Sequence, residues 1–594
     1  MLFGKHLNKY YIKYLPLLLF GVISLIFVDY VETILPEYLG DIIDTINDTV
    51  GNITFGEIST YLWKILACAG IMMICRVLWR LCILHFANKV QEHIRHEMFV
   101  KAETLSIDYY QNNKVGTVMA WFTTDVETIG DFLSWGTVQL VDSSFLTILV
   151  VVKMIRVNVP LTIISLIPIL LIIVWGALVE YFIGKRWEER QAANDRLYDF
   201  VEENFTGIRV IKAFVKETKE LHAFARIAKK NQDVNFKFGR TMLLFDILIE
   251  VIISLVFAVI FGFGGWIIYS VYNGQTTFLG IESNLTIGRL TEFIALFDIL
   301  IWPMIAMGQI MTARGRAKAS LKRISNFLDA DVMVKNPENG IVLNDVKGKI
   351  TFKHLSFRYT LDSDEVLKDC SFEIQPGEII GVVGKIGSGK TTFANLLLRI
   401  YNINPESIYI DDNDITECDI DSIRNAIAYA PQDNFLFSDK IENNISFSSK
   451  TSDKEKVTEA AEFADVANDI IAFKEQYDTV LGERGVTISG GQKQRISLAR
   501  AYYKNAPIMI LDDTVSAVDV KTEEKILNNI RENRKGKTTI VIASRVSTVS
   551  SLDKVLVFVD GKVDGFDTHS NLMNSCEPYK KMVYLQKLEA EMES

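Results

Sequence analysis

The chain has 594 residues, 49% of them hydrophobic and 23% charged, and a mean hydropathy of +0.19. It is too apolar for an ordinary soluble enzyme and too charged for a protein lying wholly in lipid. A net charge of −10, from 63 basic and 73 acidic side chains, argues against a nucleic-acid binder that works by neutralising phosphates. Its 6 scattered cysteines show neither CxxC pairing nor disulfide-dense spacing and read as reduced core thiols.

Stretches apolar and long enough to cross about 30 Å of hydrocarbon occur only in the first half of the chain. In order they are roughly residues 15–39, 61–86, 132–154, 157–182, 243–269 and 291–313. The fourth is free of charge over 157–179, whereas the others carry ionisable groups. Lys5, Lys9 and Lys13 precede the first stretch, and the connection after it holds Glu37, Asp41, Asp44, Asp48 and Glu57 with no Lys or Arg. Basic residues stay on the cytoplasmic side, so the N-terminus is expected inside, and no signal peptide is read there. An even number of crossings returns the second half to the cytoplasm. The polar segments 88–129 and 183–240 fall on that side too, contain no Pro, and read as helices running on past the membrane as stalks. Their tips, near 113–119 and 200–212, are the expected coupling points.

Charge within the crossings is unbalanced. Asp29, Glu32, Asp142, Asp246, Glu250 and Asp298 lie at membrane depth, against Arg76 and Arg80. Charges in hydrocarbon face a cavity or a partner. Some of these acids serve equally well as interhelical fasteners for the two Arg, and the surplus favours cationic, amphipathic cargo, with nearby aromatics such as Tyr30 and Trp302 as stacking surfaces. Pro303 removes a backbone hydrogen bond from the last crossing and marks a hinge.

A charged stretch with the breaker cluster at 335–340 suits a linker. The expected division is a membrane domain over 1–325, a linker over 326–342 and a second domain over 343–594. Beyond residue 350, short β-rich runs alternate with helical patterns, which indicates an α/β domain with a largely parallel sheet. The buried-strand run 379–383 leads straight into Gly384, Lys385, Ile386, Gly387, Ser388, Gly389, Lys390, Thr391 and Thr392. This is the P-loop spacing in its strand–loop–helix setting. Its glycines let backbone N–H groups converge on phosphate oxygens, Lys390 brings a cation to the β- and γ-phosphates, and Thr391 offers a hydroxyl to Mg²⁺. The apolar run 508–511 ends at Asp512, the carboxylate expected to hold Mg²⁺ through water. ATP and Mg²⁺ are therefore the expected ligands.

Between these two motifs stand Ile488, Ser489, Gly490, Gly491 and Gln492. Here the chain resembles the ATP-binding cassette family, whose LSGGQ signature it matches with Ile for Leu. The resemblance implies a polytopic α-helical membrane domain with six transmembrane helices and long cytoplasmic stalks, followed by an α/β P-loop nucleotide-binding domain. It implies a bacterial multidrug-type half-transporter in the cytoplasmic membrane, working by alternating access. It also implies further roles: Tyr359 stacks on adenine, Gln432 is the Q-loop residue that links Mg²⁺ to the membrane domain, Gly482, Glu483, Arg484 and Gly485 form an X-loop, and Ser516 and Asp519 belong to the D-loop. In that family Ser489, Gly490, Gly491 and Gln492 cap the γ-phosphate of ATP held by the opposite subunit, so a dimer is implied.

Two positions depart from the family pattern. The residue after Asp512, normally a Glu that polarises the attacking water, is Asp513. The switch position, normally His, is Ser544, and no other His of the chain stands near it in sequence. Two faults beside an intact signature suggest the degenerate half of a heterodimeric exporter, whose own site binds ATP but hydrolyses it poorly while its signature completes the partner's site. The alternatives are an active homodimer that tolerates both residues, a lipid or peptide exporter with the same engine, and an ATP-sensing regulatory subunit.

Overall fold

The computed structural model describes residues 4–48, 55–273, 277–278, 281–282, 285–360, 362–482, 485, 488–515 and 519–593; the side chains of 169–182 lie outside the described residues. The chain forms two compact units. One comprises Met1–Glu103 with Val115–Ala330, the other Thr104–Lys114 with Asp331–Ser594.

The first unit is built of long helices. Phe55–Thr104 has 50 residues, Val159–Thr206 has 48, Glu217–Tyr272 has 56 and Ile287–Leu328 has 42. At ~1.5 Å per residue these are roughly 60–85 Å long, two to three times the hydrocarbon thickness, so each continues well into water. Among the described residues, 5 helical stretches are long and apolar enough to cross a membrane: Leu15–Asn47, Ile58–Thr104, Val115–Val157, Glu217–Tyr272 and Ile287–Leu328. The helix Val159–Thr206 runs through the remaining expected crossing. It starts where Asn158 accepts the Leu161 N–H at 3.0 Å with Pro160 in the first turn, a position that needs no backbone donor.

The third crossing is not a plain α-helix. Wide π turns interrupt it at Trp121–Asp125, Phe132–Gly136 and Asp142–Leu146. The last crossing runs helical straight through Pro303. Leu146, Val150, Ile260, Phe293 and Phe297 pack a shared apolar core between these helices.

In the second unit a six-stranded sheet has the order Lys562–Asp567, Lys554–Val559, Ile379–Gly384, Thr538–Ile542, Ile508–Asp512, Ile427–Ala430. All neighbours are parallel except the antiparallel pair Lys554–Val559 and Lys562–Asp567. Ile508–Asp512 and Thr538–Ile542 are buried at every residue, as strands covered on both faces of a parallel sheet are, so their apolar residues stand in a row and do not alternate with polar ones. A four-stranded antiparallel sheet, Leu367–Ile374, Ile350–Phe357, Ile408–Ile410 and Asn413–Asp414, stands beside it.

The stretch Thr104–Lys114 belongs to this second unit. Ser106 starts a short helix, Ile107–Asn112, and Gln111 Nε2 donates to the Tyr401 hydroxyl at 2.9 Å. The first stalk turns through two breaks, at residues 105–106 and at 113–114, around the short helix Ile107–Asn112; the second break falls at the start of the expected 113–119 and the first lies ahead of it. The second tip turns between the helix end at Thr206 and the restart at Glu217, overlapping the end of the expected 200–212. Residues expected as linker are tied to the second unit: Asn336 donates to Asp419 Oδ2 at 2.6 Å and accepts the Ile420 N–H at 2.8 Å.

Candidate functional site

The phosphate loop follows from the strand before it. Ile379–Gly384 has parallel neighbours on both sides, so the chain leaves a parallel sheet at its carboxyl edge, where such sheets open a crevice. Gly387 and Gly389 take φ of 81° and 100°, a region where a side chain is strained, and the helix Lys390–Leu397 starts directly afterwards. Lys390 Nζ curls over the loop, donating to the Gly384 carbonyl at 2.7 Å and to the Lys385 carbonyl at 3.0 Å. Burial lowers its pKa, and Asp513 and Asp512 oppose that fall. Ser388 is 4% exposed, and its hydroxyl has no partner among the described residues. An orphan hydroxyl, an ammonium and a helix N-terminus brought together suit a phosphate group.

Asp512 is 1% exposed at the end of its strand. Burial raises its pKa, while hydrogen bonds from the Thr391 and Tyr429 hydroxyls and the nearby Lys390 oppose the rise. Tyr429 donates to Asp512 Oδ2 at 3.4 Å. Its own hydroxyl titrates well above the usual range through burial and the neighbouring Asp512, so it remains a donor.

Asp513 takes φ 50°, a left-handed conformation that Asp tolerates better than most side chains. Its N–H donates to the Ile542 carbonyl at 2.9 Å. Ser544 Oγ donates to its Oδ1 at 3.4 Å, and Gln432 Nε2 reaches its Oδ2 at 3.5 Å. Three residues from three loops therefore meet at Asp513, which lies within electrostatic reach of Lys390.

Ser489 is the N-cap of the helix Gly490–Tyr503 in a full capping box. Its Oγ accepts the Gln492 N–H at 3.2 Å, and Gln492 Oε1 accepts the Ser489 N–H at 3.0 Å. The box leaves the serine hydroxyl proton at the positive end of the helix, and a side chain at Gly490 would meet open space. Asp519 caps the helix Val520–Asn533, accepting the Lys521 and Thr522 N–H groups, each at 3.1 Å. Ser516, Glu483 and Arg484 lie outside the described residues.

Tyr359 shares a 2.7 Å hydrogen bond with Thr392 Oγ1, and its ring stands edge-on to Tyr401 with centroids 5.1 Å apart. A chain of contacts thus runs from Gln111 through Tyr401 and Tyr359 to the phosphate loop. Sequence reasoning missed Tyr401 and Tyr429. Tyr429 stands three residues before Gln432, but nothing in the strand pattern says where its hydroxyl ends.

In the membrane unit the candidate acids separate into two groups. Asp29 and Asp142 are buried and within electrostatic reach of each other and of Glu32. Glu32 pairs with Arg76 at 3.1 Å, and Trp302 Nε1 donates to Asp142 Oδ2 at 3.4 Å. Asp246, Glu250 and Asp298 are exposed on this chain. Arg80 lies against the Trp79 ring at 5.5 Å.

Residues 18–304 match the ABC transporter transmembrane region, and residues 367–516 match the ABC transporter family. The chain is 31% identical over 586 residues to the probable multidrug resistance ABC transporter ATP-binding/permease protein YheI of Bacillus subtilis, covering 98% of this chain and 97% of that one. It is 29% identical to the multidrug resistance-like ATP-binding protein MdlA of Escherichia coli, covering 96% of this chain and 95% of that one. A solved bacterial Atm1-family ABC exporter with ATP bound shares its fold, with a TM-score of 0.77, 24% identity, and coverage of 98% of this chain and 99% of that one. The chain belongs to the ABC transporter family. It is a multi-pass membrane protein whose second half is an ATP-binding domain of the class that hydrolyses ATP to drive transport.

Proposed function

We propose that this chain is one half of an ATP-driven exporter of the bacterial cytoplasmic membrane, with its N-terminus and ATP-binding domain in the cytoplasm. Its own phosphate loop binds ATP and supports only slow hydrolysis, and its signature helix completes the working site of a second, different half. The observation that carries the reading is the Asp513–Ser544 contact at 3.4 Å, beside a formed phosphate loop and Asp512, on a chain whose signature helix keeps its full capping box.

The roles follow from chemistry. Loop N–H groups and Lys390 take the β- and γ-phosphates, and Tyr359 supports adenine. Thr391, Asp512 and the Gln432 amide oxygen form an all-oxygen donor set that suits Mg²⁺. The buried Asp512 carboxylate, faced by hydroxyls and one ammonium, is the feature such a cation relieves. Bound there, Mg²⁺ neutralises charge on the phosphates. Asp513 orients water from a position set back by one methylene, about 1.5 Å, and misplacement on that scale is worth about 10²-fold in rate. Ser544 donates one hydrogen bond but brings no positive charge to the γ-phosphate.

The likeness to a probable multidrug resistance transporter and a multidrug resistance-like protein supports small amphipathic cargo moved by alternating access. The buried Asp29 and Asp142 beside Trp302 support a preference for cations. The test is to measure MgATP binding and turnover of the purified chain alone. Binding with turnover at least about two decades below the usual 1–10³ s⁻¹ is expected. Turnover within that usual range overturns the reading in favour of a working homodimer.

A further inference from the structure

The loop carrying Ser544 leaves the sheet after Ala543, whose N–H donates to the Val382 carbonyl at 3.0 Å. Ser544 and Arg545 are exposed, and the short helix Val546–Val549 follows. Such a loop needs a tether if it is to hold a side chain in one place. The helix Glu577–Glu593 supplies one. Gln586 Nε2 donates to the Ser544 carbonyl at 2.9 Å, and Gln586 Oε1 accepts the Val546 N–H at 2.7 Å. One planar amide thus grips the backbone on both sides of Arg545, and both bonds are of ordinary strong length.

The gripping helix is itself firmly seated. Tyr579 is fully buried, its hydroxyl is hydrogen-bonded to His569 Nδ1 at 2.8 Å, and Met582 and Val583 pack on the main apolar core of the sheet. The seat and the grip together transmit the position of this helix to residue 544.

We infer that Gln586 is a positioning residue of the ATP site, one that fixes the switch loop so that the side chain at 544 faces Asp513 and the γ-phosphate. The inference rests on reading Ser544 as the switch position. It gives the helix Glu577–Glu593 a role beyond packing: displacing it loosens the switch without touching nucleotide.

The first measurement is hydrogen–deuterium exchange on the full chain carrying Gln586→Ala. Protection of the Val546 amide is expected to fall roughly tenfold or more, the effect of losing one or two hydrogen bonds, while the strand Thr538–Ile542 keeps its protection. The second places Gln586→Ala in the Asp513→Glu, Ser544→His background and reads ATP turnover and MgATP affinity separately. A roughly tenfold fall in turnover with affinity within about twofold is the expected split. Gln586→Asn, too short to reach both groups, should behave like Ala, and Gln586→Glu, which keeps only the acceptor for Val546, should fall between. Unchanged exchange at Val546, or equal loss of protection in Thr538–Ile542, overturns the inference. If the background variant itself fails to hydrolyse ATP, the degenerate-site reading has failed, and the exchange result still decides the role of Gln586.

Discussion

Replacing Asp513 by Glu and Ser544 by His together is expected to raise ATP turnover of the isolated chain by about two to three decades. The Asp513 carboxylate already lies in the site, 3.4 Å from Ser544 Oγ and 3.5 Å from Gln432 Nε2, so the added methylene extends a group that points the right way. An error on the order of 1 Å is worth about 10²-fold, and one missing transition-state donor about 10²–10³-fold, or ~2.7–4 kcal/mol. Added together these give four or five decades. The two side chains touch, however, and contacting residues are not additive, so the joint gain lies nearer the larger single figure. The backbone opposes the change slightly. Asp513 holds φ 50°, where Glu is less at ease than Asp, and a penalty of up to about 1 kcal/mol is expected as a thermal midpoint lowered by roughly 2–4 °C. The assay is steady-state phosphate release in detergent or nanodiscs, with Lys390→Ala in the same background as the blank. A double variant that binds MgATP as tightly as the parent and gains less than about tenfold in turnover refutes the reasoning, because these two positions would then not be what limits the site.

Tyr429→Phe removes the hydroxyl that donates to Asp512 Oδ2 at 3.4 Å. The bond is long for one to a carboxylate, so MgATP affinity is expected to weaken only about three- to tenfold, ~0.7–1.4 kcal/mol, with Mg-free ATP affinity unchanged in a titration with fluorescent nucleotide. Arg323→Ala strips the buried Asp125 carboxylate of bonds at 2.7 and 2.6 Å and leaves it Ser320 at 2.8 Å. Because Arg323 is half exposed, a loss of about 1–3 kcal/mol is expected, read as a lower thermal midpoint in detergent and partly restored by adding Asp125→Asn. At Ser489, capping and phosphate binding separate by substitution. Asp is as good an N-cap as Ser, so Ser489→Asp preserves the helix start while setting a negative charge where the γ-phosphate of the opposite site should lie. If capping is its whole role, Asp outperforms Ala in ATP turnover of the assembled transporter; if it binds phosphate, Asp is the worse of the two.

What could be read along the chain and what could not divide by the range of the interaction. The phosphate loop is a local event: two glycines at φ 81° and 100° and a helix starting at Lys390 are fixed by neighbours in sequence. The signature is local too, since Ser489 and Gln492 bond each other across one turn. Hydropathy marks apolar stretches for the same reason, each being a property of its own segment, and among the described residues 5 helical stretches are long and apolar enough to cross a membrane. The first stalk turn begins ahead of the expected 113–119 because the polar stretch around it suits a helix throughout, and nothing in that pattern marks the earlier of its two breaks, at Leu105 and Ser106. Hydropathy also reported six acids at membrane depth without saying which face each takes. That depends on helix rotation, and it is tertiary packing that draws Asp29 and Asp142 inside and leaves Asp246, Glu250 and Asp298 outside.

The contacts that remained hidden are those that decide how the ATP site is held. Gln432 meets Asp513, Ser544 meets Asp513, and Gln586 meets Ser544 and Val546, each pair distant along the chain and joined by single polar side chains that no periodicity marks. They form one chain of contacts, from Gln586 through the Ser544 loop to Asp513 and Gln432. Asp513 is held by the Ile542 carbonyl and by Ser544, and the loop of Ser544 is held by Gln586, so the geometry here depends on bonds between residues far apart in the chain and not on any local motif.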